Sequence, residues 1–365
     1  MAKKIILHFI NGLEVGGAET QLLRILPELE KYHENMVCCV QGHGPIGKLL
    51  EKKGIKVHYL DLKNILDFSA IKKFGKIVRN YPPDIMVTYL IHADLYGRVL
   101  GKIFGIKKII SSKRGALLQW EWLSSFDRLT KKLINHYLVQ TETAKKEWMN
   151  KLNLPEKKFT IIPNGIDVEK FRCKINEKEK KNQLQIKENS IVITCISKLR
   201  RGKGHDILLR AFEKFYQHDN NSILLIVGNG EKEEELKNSL VDLESKNNIR
   251  FLGNRPDVAE ILSISDIFAL PTEKEGMSNA IIESMVMGIP VITTDIPENR
   301  DLLENKKTGI LIPANDSYSL FENIKLLASD KILWEKISQN SKIEAKNKFD
   351  VRIIAKKLAN FFEKI

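Results

Sequence analysis

Short, largely apolar runs recur along this 365-residue chain, alternating with stretches of helical period, and the alternation happens twice over. In the first half the runs cover residues 5–9, 36–40, 57–60, 85–88, 108–111 and 137–139, with helical patterns between them at 18–30, 70–80 and 95–104. In the second half they cover 191–196, 223–227, 249–252, 267–270, 291–293 and 309–312. A strand that is apolar on both sides has to be covered on both sides, and the crossover joining parallel strands brings a helix to do it. The pattern therefore predicts an α/β protein with two parallel sheets, each covered by helices. The length suffices for two domains. Turn chemistry in Ile161-Ile-Pro-Asn-Gly-Ile-Asp167 closes the first, and the polar stretch 173–190 reads as the connection. Residues 231–243 read as a charged surface helix, and Ile353, Ile354, Leu358, Phe361 and Phe362 form a helical stripe near the end.

Between the runs at 267–270 and 291–293 lies Glu275-Gly-Met-Ser-Asn-Ala-Ile-Ile-Glu283, with two carboxylates eight positions apart. Glu275 falls in a loop at the carboxyl end of a strand, where open α/β sheets bind ligands. Glu283 falls in the following helix among Ile281, Ile282, Met285 and Val286. A carboxylate buried there needs partners, and a ligand diol such as a ribose would supply them. A loop acid and a helix acid reaching water is the plainer alternative. The amides of Met277, Ser278 and Asn279 open the helix and suit a polar or anionic ligand.

A basic loop, Ile196-Ser-Lys-Leu-Arg-Arg-Gly-Lys-Gly-His205, also separates a strand from a helix. Its cations Lys198, Arg200, Arg201 and Lys203 beside a helix start predict a diphosphate site. Asn11-Gly-Leu-Glu-Val-Gly-Gly-Ala-Glu-Thr20 is a third strand-to-helix loop, in which Gly16 and Gly17 can hold positive φ and let backbone amides face a ligand. Neither this loop nor Gly228-Asn-Gly230 has the spacing of a dinucleotide fingerprint. No D-x-D sequence and no metal-ligand spacing occurs, so no metal is expected and Lys and Arg have to neutralise phosphate charge.

These blocks resemble the retaining nucleotide-sugar glycosyltransferases of family 4, over nearly the whole chain and in the expected order. The resemblance rests on E-x7-E with glycine after the first Glu, the downstream Gly288-Ile-Pro-Val291, the Lys203-Gly204 pair and the Gly16-Gly-Ala-Glu19 loop. It implies the GT-B fold, with two Rossmann-like domains whose parallel sheets face a cleft and a C-terminal helix crossing back to the first domain. The expected divisions are 1–170 for the acceptor, 171–345 for the donor and 346–365 for the helix. It also implies roles. Lys198 and Lys203 take the diphosphate with Arg201, although Lys198 stands where the family has arginine. Glu283 takes the ribose. Glu275 with Gly276, Met277 and Ser278 takes the sugar, and Asn254 and Arg255 lie near the base. Gly16 and Gly17 face the donor, and His92 resembles the family's cleft histidine. The donor is a nucleotide-diphosphate sugar, UDP-linked by family weight, and the acceptor a glycan or polyprenyl-diphosphate-linked sugar. A GT-B epimerase and a non-enzymatic polyanion binder are the alternatives.

The net charge of +13 is uneven. Residues 1–166 hold 27 Lys and Arg against 15 Asp and Glu, a balance of +12, which points to an anionic partner for the first half. Trp120 and Trp122, near Lys113 and Arg114, are candidates for a membrane or acceptor contact. No nucleic-acid module is recognisable. With no apolar run near ~20 residues and no secretory signal at the start, the expected location is the cytoplasm, peripherally on the inner face of the membrane. The four cysteines, Cys38, Cys39, Cys173 and Cys195, read as free thiols.

Overall fold

The computed structural model describes residues 3–64, 67–114, 121–172 and 176–365. Its contacts divide the chain into two compact units, Met1–Gly165 with Asp350–Ile365, and Ile166–Phe349. The first unit runs β1 (Ile5–Ile10), α1 (Gly17–Leu29), β2 (Glu34–Cys39), α2 (Pro45–Lys52), β3 (Lys56–Tyr59), α3 (Phe68–Asn80), β4 (Ile85–Tyr89), α4 (Ile91–Ile103), β5 (Lys108–Ser112), α5 (Glu121–Thr130), β6 (His136–Val139), α6 (Glu142–Leu152) and β7 (Phe159–Ile161). Its seven strands are all parallel, in the order β3-β2-β1-β4-β5-β6-β7. The period-2 geometry of β1 shows how the core is built. Ile6 and Ile10 join the apolar layer of α1, while Leu7 and Phe9 join the opposite layer with Phe74 of α3 and Leu100 of α4. Cys38 and Cys39 split in the same way, so these neighbouring buried thiols face opposite layers.

The second unit runs α7 (Glu177–Gln183), β8 (Ile191–Ile196), α8 (His205–His218), β9 (Ser222–Val227), α9 (Glu233–Asn238), β10 (Ile249–Gly253), α10 (Val258–Ser263), β11 (Ile267–Leu270), α11 (Asn279–Met287), β12 (Val291–Thr294), α12 (Pro297–Arg300), β13 (Ile310–Ile312), α13 (Ser317–Ser329) and α14 (Lys331–Phe349). Its sheet is parallel in the order β10-β9-β8-β11-β12-β13. The last helix, α15 (Val351–Lys364), belongs to the first unit. Asp350 caps it by accepting from the Arg352 amide at 2.9 Å. Val351, Ile354, Ala355, Leu358, Ala359 and Phe362 pack with Leu22, Ile25 and Leu29 of α1. Burying each large side chain of that stripe contributes ~1.5–3 kcal/mol.

Three sequence expectations change. The stretch from residue 176 to 190 is part of the second unit, because α7 is anchored by the buried Lys180, whose ammonium pairs with Asp257 and, at 2.6 Å, with Glu260. The helix expected over 231–243 spans only Glu233–Asn238, and the Ser239 hydroxyl donates to Leu236 O at 2.7 Å where it ends. Ile353 is exposed, with Val351 taking its place in the buried stripe. β7 and the long helices α13 and α14 had no sequence expectation.

Candidate active site

In the second sheet, β8 and β11 are neighbours, while the chain winds outward through β9 and β10 on one side and β12 and β13 on the other. This is a topological switch point, where the loops leaving two adjacent strands part and open a crevice at their carboxyl ends. The basic loop leaves β8 and the Glu275 loop leaves β11. Residues 72 positions apart are brought together there, and the buried Lys203 ammonium pairs with the Glu275 carboxylate.

Close backbone approach makes the pairing possible. Gly204 has φ 71°, and a Cβ on it would lie 1.9 Å from the carbonyl oxygen of Pro271, so only glycine lets the basic loop lie against the end of β11. The Glu273 amide donates to Gly202 O at 2.9 Å, and the Thr272 hydroxyl lies 3.0 Å from the same oxygen. The Thr294 hydroxyl, at the end of β12, donates in turn to Thr272 O. A third loop joins from β9, where Gly228 (φ 127°) would place a Cβ 2.0 Å from Ser197 O and Leu199 N–H donates to Asn229 O at 3.0 Å. Sequence reasoning missed Thr272, Thr294 and this role of Gly228. The Thr-Glu and Thr-Asp steps after β11 and β12 were the available signal.

The acidic helix forms as expected. Ser278 is the N-cap of α11, its hydroxyl accepting from Ile281 N–H at 3.4 Å, and Gly288 ends the helix at φ 75°. Glu283 is buried, 7 % exposed. The Gly276 amide already donates to Glu275 at 3.3 Å, while Met277 and Ser278 are buried. Lys198, Arg200 and Arg201 are exposed on the loop that buries Lys203. His205 opens α8 behind them and lies 2.9 Å from the Ser197 hydroxyl; burial lowers its pKa to about 4, so it is neutral at pH 7. Asn254 is exposed, and Arg255 grips Asp257 through two bonds of 2.8 and 2.6 Å. Among the described residues, no group of three His, Cys, Asp or Glu side chains is placed to hold a metal ion.

The first sheet has its own switch point between β1 and β4, and two more candidates flank it. Gly16 and Gly17 follow β1 where α1 begins, and neither uses the positive φ open to glycine. Gly16 is the N-cap of α1 and is extended (φ −150°), as N-cap residues are, and Gly17 is the first helical residue. His92 is exposed in the first turn of α4. Before it, Leu90 is held at φ 62° and ψ 149°, a region close to glycine-only that costs ~1–3 kcal/mol and clusters at ligand sites.

Lys113 and Arg114 part company. The expectation of a surface contact fails for Lys113, because its ammonium is buried between Asp94 and Asp127 at 2.8 Å each. Arg98 completes the cluster, bonding Asp127 at 2.7 Å and pairing with Asp94. Burial pushes the Asp94 pKa up, and Lys113 and Arg98 outweigh it, holding the carboxyl at about 2. Arg114 is half-buried and, among the described residues, is paired with no carboxylate. Trp120 and the side chain of Trp122 lie outside the described residues.

Two family descriptions match the chain in sequence order: Glycosyltransferase Family 4 over residues 15–170 and Glycosyl transferases group 1 over residues 176–344. The chain is 30% identical, over 95% of its length and 92% of the relative's, to the UDP-Gal:alpha-D-GlcNAc-diphosphoundecaprenol alpha-1,3-galactosyltransferase of Escherichia coli. It is 24% identical, over 93% and 94%, to an N-acetylgalactosaminyltransferase of Campylobacter jejuni named for a diphospho-undecaprenol-linked acceptor. Among solved structures it shares its fold with Anabaena HepE in complex with UDP-glucose, at a TM-score of 0.88 and 21% identity over 99% of this chain and 100% of that one. The likeness to the Escherichia coli enzyme runs through both units, and on that ground the protein belongs to the group 1 glycosyltransferases of family 4.

Proposed function

We propose that this glycosyltransferase moves a hexosyl or N-acetylhexosaminyl group, with retention, from a UDP-sugar to a polyprenyl-diphosphate-linked sugar in cell-envelope polysaccharide synthesis. The observation that carries the reading is the buried Lys203–Glu275 pair at the switch point of the second sheet, with Glu283 buried in the helix that follows. Relatives named for undecaprenol-linked acceptors support the acceptor class, and the HepE complexes support UDP.

Lys203, Lys198 and Arg201 act on the donor diphosphate, Glu283 on the ribose, and Glu275 with Gly276, Met277 and Ser278 on the transferred sugar. Asn254 and Arg255 flank the base. Gly16 and Gly17 are assigned to the donor, and His92 to the donor sugar. Departure of the diphosphate leaves an oxocarbenium-like sugar, and the acceptor hydroxyl attacks from the same face. Its proton passes to the departing phosphate oxygen, so no side-chain base is required. Charge building on the leaving group is met by cations already in place, the preorganised stabilisation that contributes most in sites of this kind. The reaction is metal-independent in this reading, supported by the lack of a D-x-D sequence and the basic loop.

The protein works in the cytoplasm, peripherally on the inner leaflet, which the +12 balance of residues 1–166 favours. No helix among the described residues is long and apolar enough to cross a membrane. Release of nucleoside diphosphate from UDP-, GDP- and ADP-sugars, with and without a lipid-diphosphate acceptor, tests the proposal. Acceptor-dependent release from a UDP-hexose that persists in EDTA is expected. Release from none of the donors, or full dependence on added Mn²⁺, refutes it.

A further inference from the structure

Lys113 and Arg114 are consecutive cations just past the end of β5, and the sheet sends them to opposite sides. Lys113 lies 4.5 Å from the Trp148 ring in one apolar layer, and Arg114 stacks over Tyr89 of the other at 5.8 Å. The first side is electrically complete, since Arg98 and Lys113 face Asp94 and Asp127. On the second side, the hydrogen bonds of Arg114 among the described residues go to neutral oxygens, the Ser112 hydroxyl at 3.2 Å and the Asn164 side-chain oxygen at 2.8 Å. Gln140 donates to the same Asn164 oxygen at 2.6 Å, bracing it toward the guanidinium.

A guanidinium stays charged at any working pH, and half-burying one without a carboxylate is unfavourable. Burial lowers the Arg114 pKa, and Tyr89 is the group opposing that shift. The surroundings are a built site. Tyr89, Ser112, Gln140 and Asn164 are themselves buried, and they stand at or just beyond the carboxyl ends of β4, β5, β6 and β7, four consecutive strands. That edge of a parallel sheet is where ligands bind. Such a planar fork, held in place by its neighbours and meeting no carboxylate among the described residues, matches two phosphate oxygens better than any neutral sugar hydroxyl.

We propose that Arg114 holds a phosphate of the acceptor's diphosphate, and that through it the first unit selects a diphosphate-linked acceptor over a free glycan. The assignment rests on the proposed function above and names the feature of the acceptor that is read.

The test uses the full-length protein, with saturating UDP to occupy the donor site, titrated with α-GlcNAc diphosphate bearing an undecyl chain. GlcNAc undecyl glycoside, which has no phosphate, is the control. Wild type binds the diphosphate compound more tightly than the glycoside. Arg114→Gln loses at least about tenfold in affinity for the diphosphate compound, about 1.4 kcal/mol, and the preference over the glycoside falls by the same factor. Arg114→Lys falls between, since it keeps charge but not the fork. In steady state the change appears in KM for the diphosphate acceptor. No preference in wild type, or an unchanged preference in Arg114→Gln, overturns the proposal. A lowered Tm with preference intact assigns Arg114 to structure alone and also overturns it. So does an equal loss of UDP affinity, which assigns the guanidinium to the donor. Binding through Arg114 without UDP release from any UDP-sugar would refute the transferase reading and leave this assignment standing.

Discussion

Replacing Lys203 by alanine separates the two things its ammonium does. In the structure it pairs with Glu275; both side chains are largely covered, 7 % and 16 % exposed. Removing one member of a fully buried pair costs about 3–5 kcal/mol. Glu275 retains some contact with water, so roughly 2 kcal/mol is the better expectation, with a Tm lower by about 4–8 °C for a unit of this size. The kinetic effect has a different origin. If Lys203 faces the departing diphosphate, its loss removes a charge interaction that strengthens in the transition state. That amounts to at least about 2.7 kcal/mol, or ~100-fold in kcat. The double variant Lys203→Ala with Glu275→Gln distinguishes the two effects. Neutralising the orphaned carboxylate restores part of the Tm but none of the turnover. Calorimetric melting and acceptor-dependent UDP release on the four proteins of the cycle read both quantities. A Lys203→Ala enzyme within threefold of wild-type kcat refutes the leaving-group role, and recovery of turnover in the double variant shows that the pair acts structurally only.

Glu283→Gln weakens UDP-sugar binding by about 1.5–3 kcal/mol, the range for a hydrogen bond to a charged group; unchanged donor affinity in calorimetry rejects the ribose assignment. Gly204→Ala forces a Cβ to within 1.9 Å of Pro271 O in a left-handed backbone, so the basic loop must move. Donor KM then rises at least about tenfold while the Tm of the other unit holds, and wild-type KM would show that the loop's approach to β11 is dispensable. Burial lowers the pKa values of His8 and His205 from 6.5 to about 4. The unfolded chain therefore takes up protons that the folded one refuses, and stability present above pH 6.5 is lost as pH falls toward 4. Each histidine accounts for about 2 kcal/mol between pH 7 and 5. Denaturant titrations at the two pH values check this, and a slope unchanged by His205→Gln in the second unit's transition contradicts it.

The elements read best from sequence are those whose signal is local. β8 and β11 were delimited to the residue because a continuous apolar run between polar loops is legible one position at a time. Helix α11 lies where the sequence places it, after the Glu275 loop, with Ser278 capping it from outside. By contrast, α14 spans 19 residues, but its buried positions include Ser338, Ser341 and Ala345, so no apolar stripe announces it. Its burial depends on neighbours that arrive from elsewhere in the chain. The positive φ open to Gly16 and Gly17 goes unused for a related reason. Glycine is permitted that conformation anywhere, and only the helix beginning there decided otherwise.

The same division holds for the site. Residue types and spacing within one loop, such as Glu275-Gly276 with Glu283 or Lys203-Gly204, are properties of neighbouring positions, and the sequence by itself determined them together with the α/β alternation that sets them at strand ends. Which loops meet is a property of strand order. It took the order β10-β9-β8-β11-β12-β13 to place Lys203 on Glu275 across 72 residues. It took the first sheet to bury Lys113 between aspartates 19 and 14 positions away and leave its neighbour Arg114 facing neutral oxygens. Two adjacent cations look alike in sequence, since both are basic and both follow a strand. Only the tertiary structure decides which of them meets a carboxylate, because a charge interaction depends on distance through space and on the water excluded around it, and neither is written along the chain.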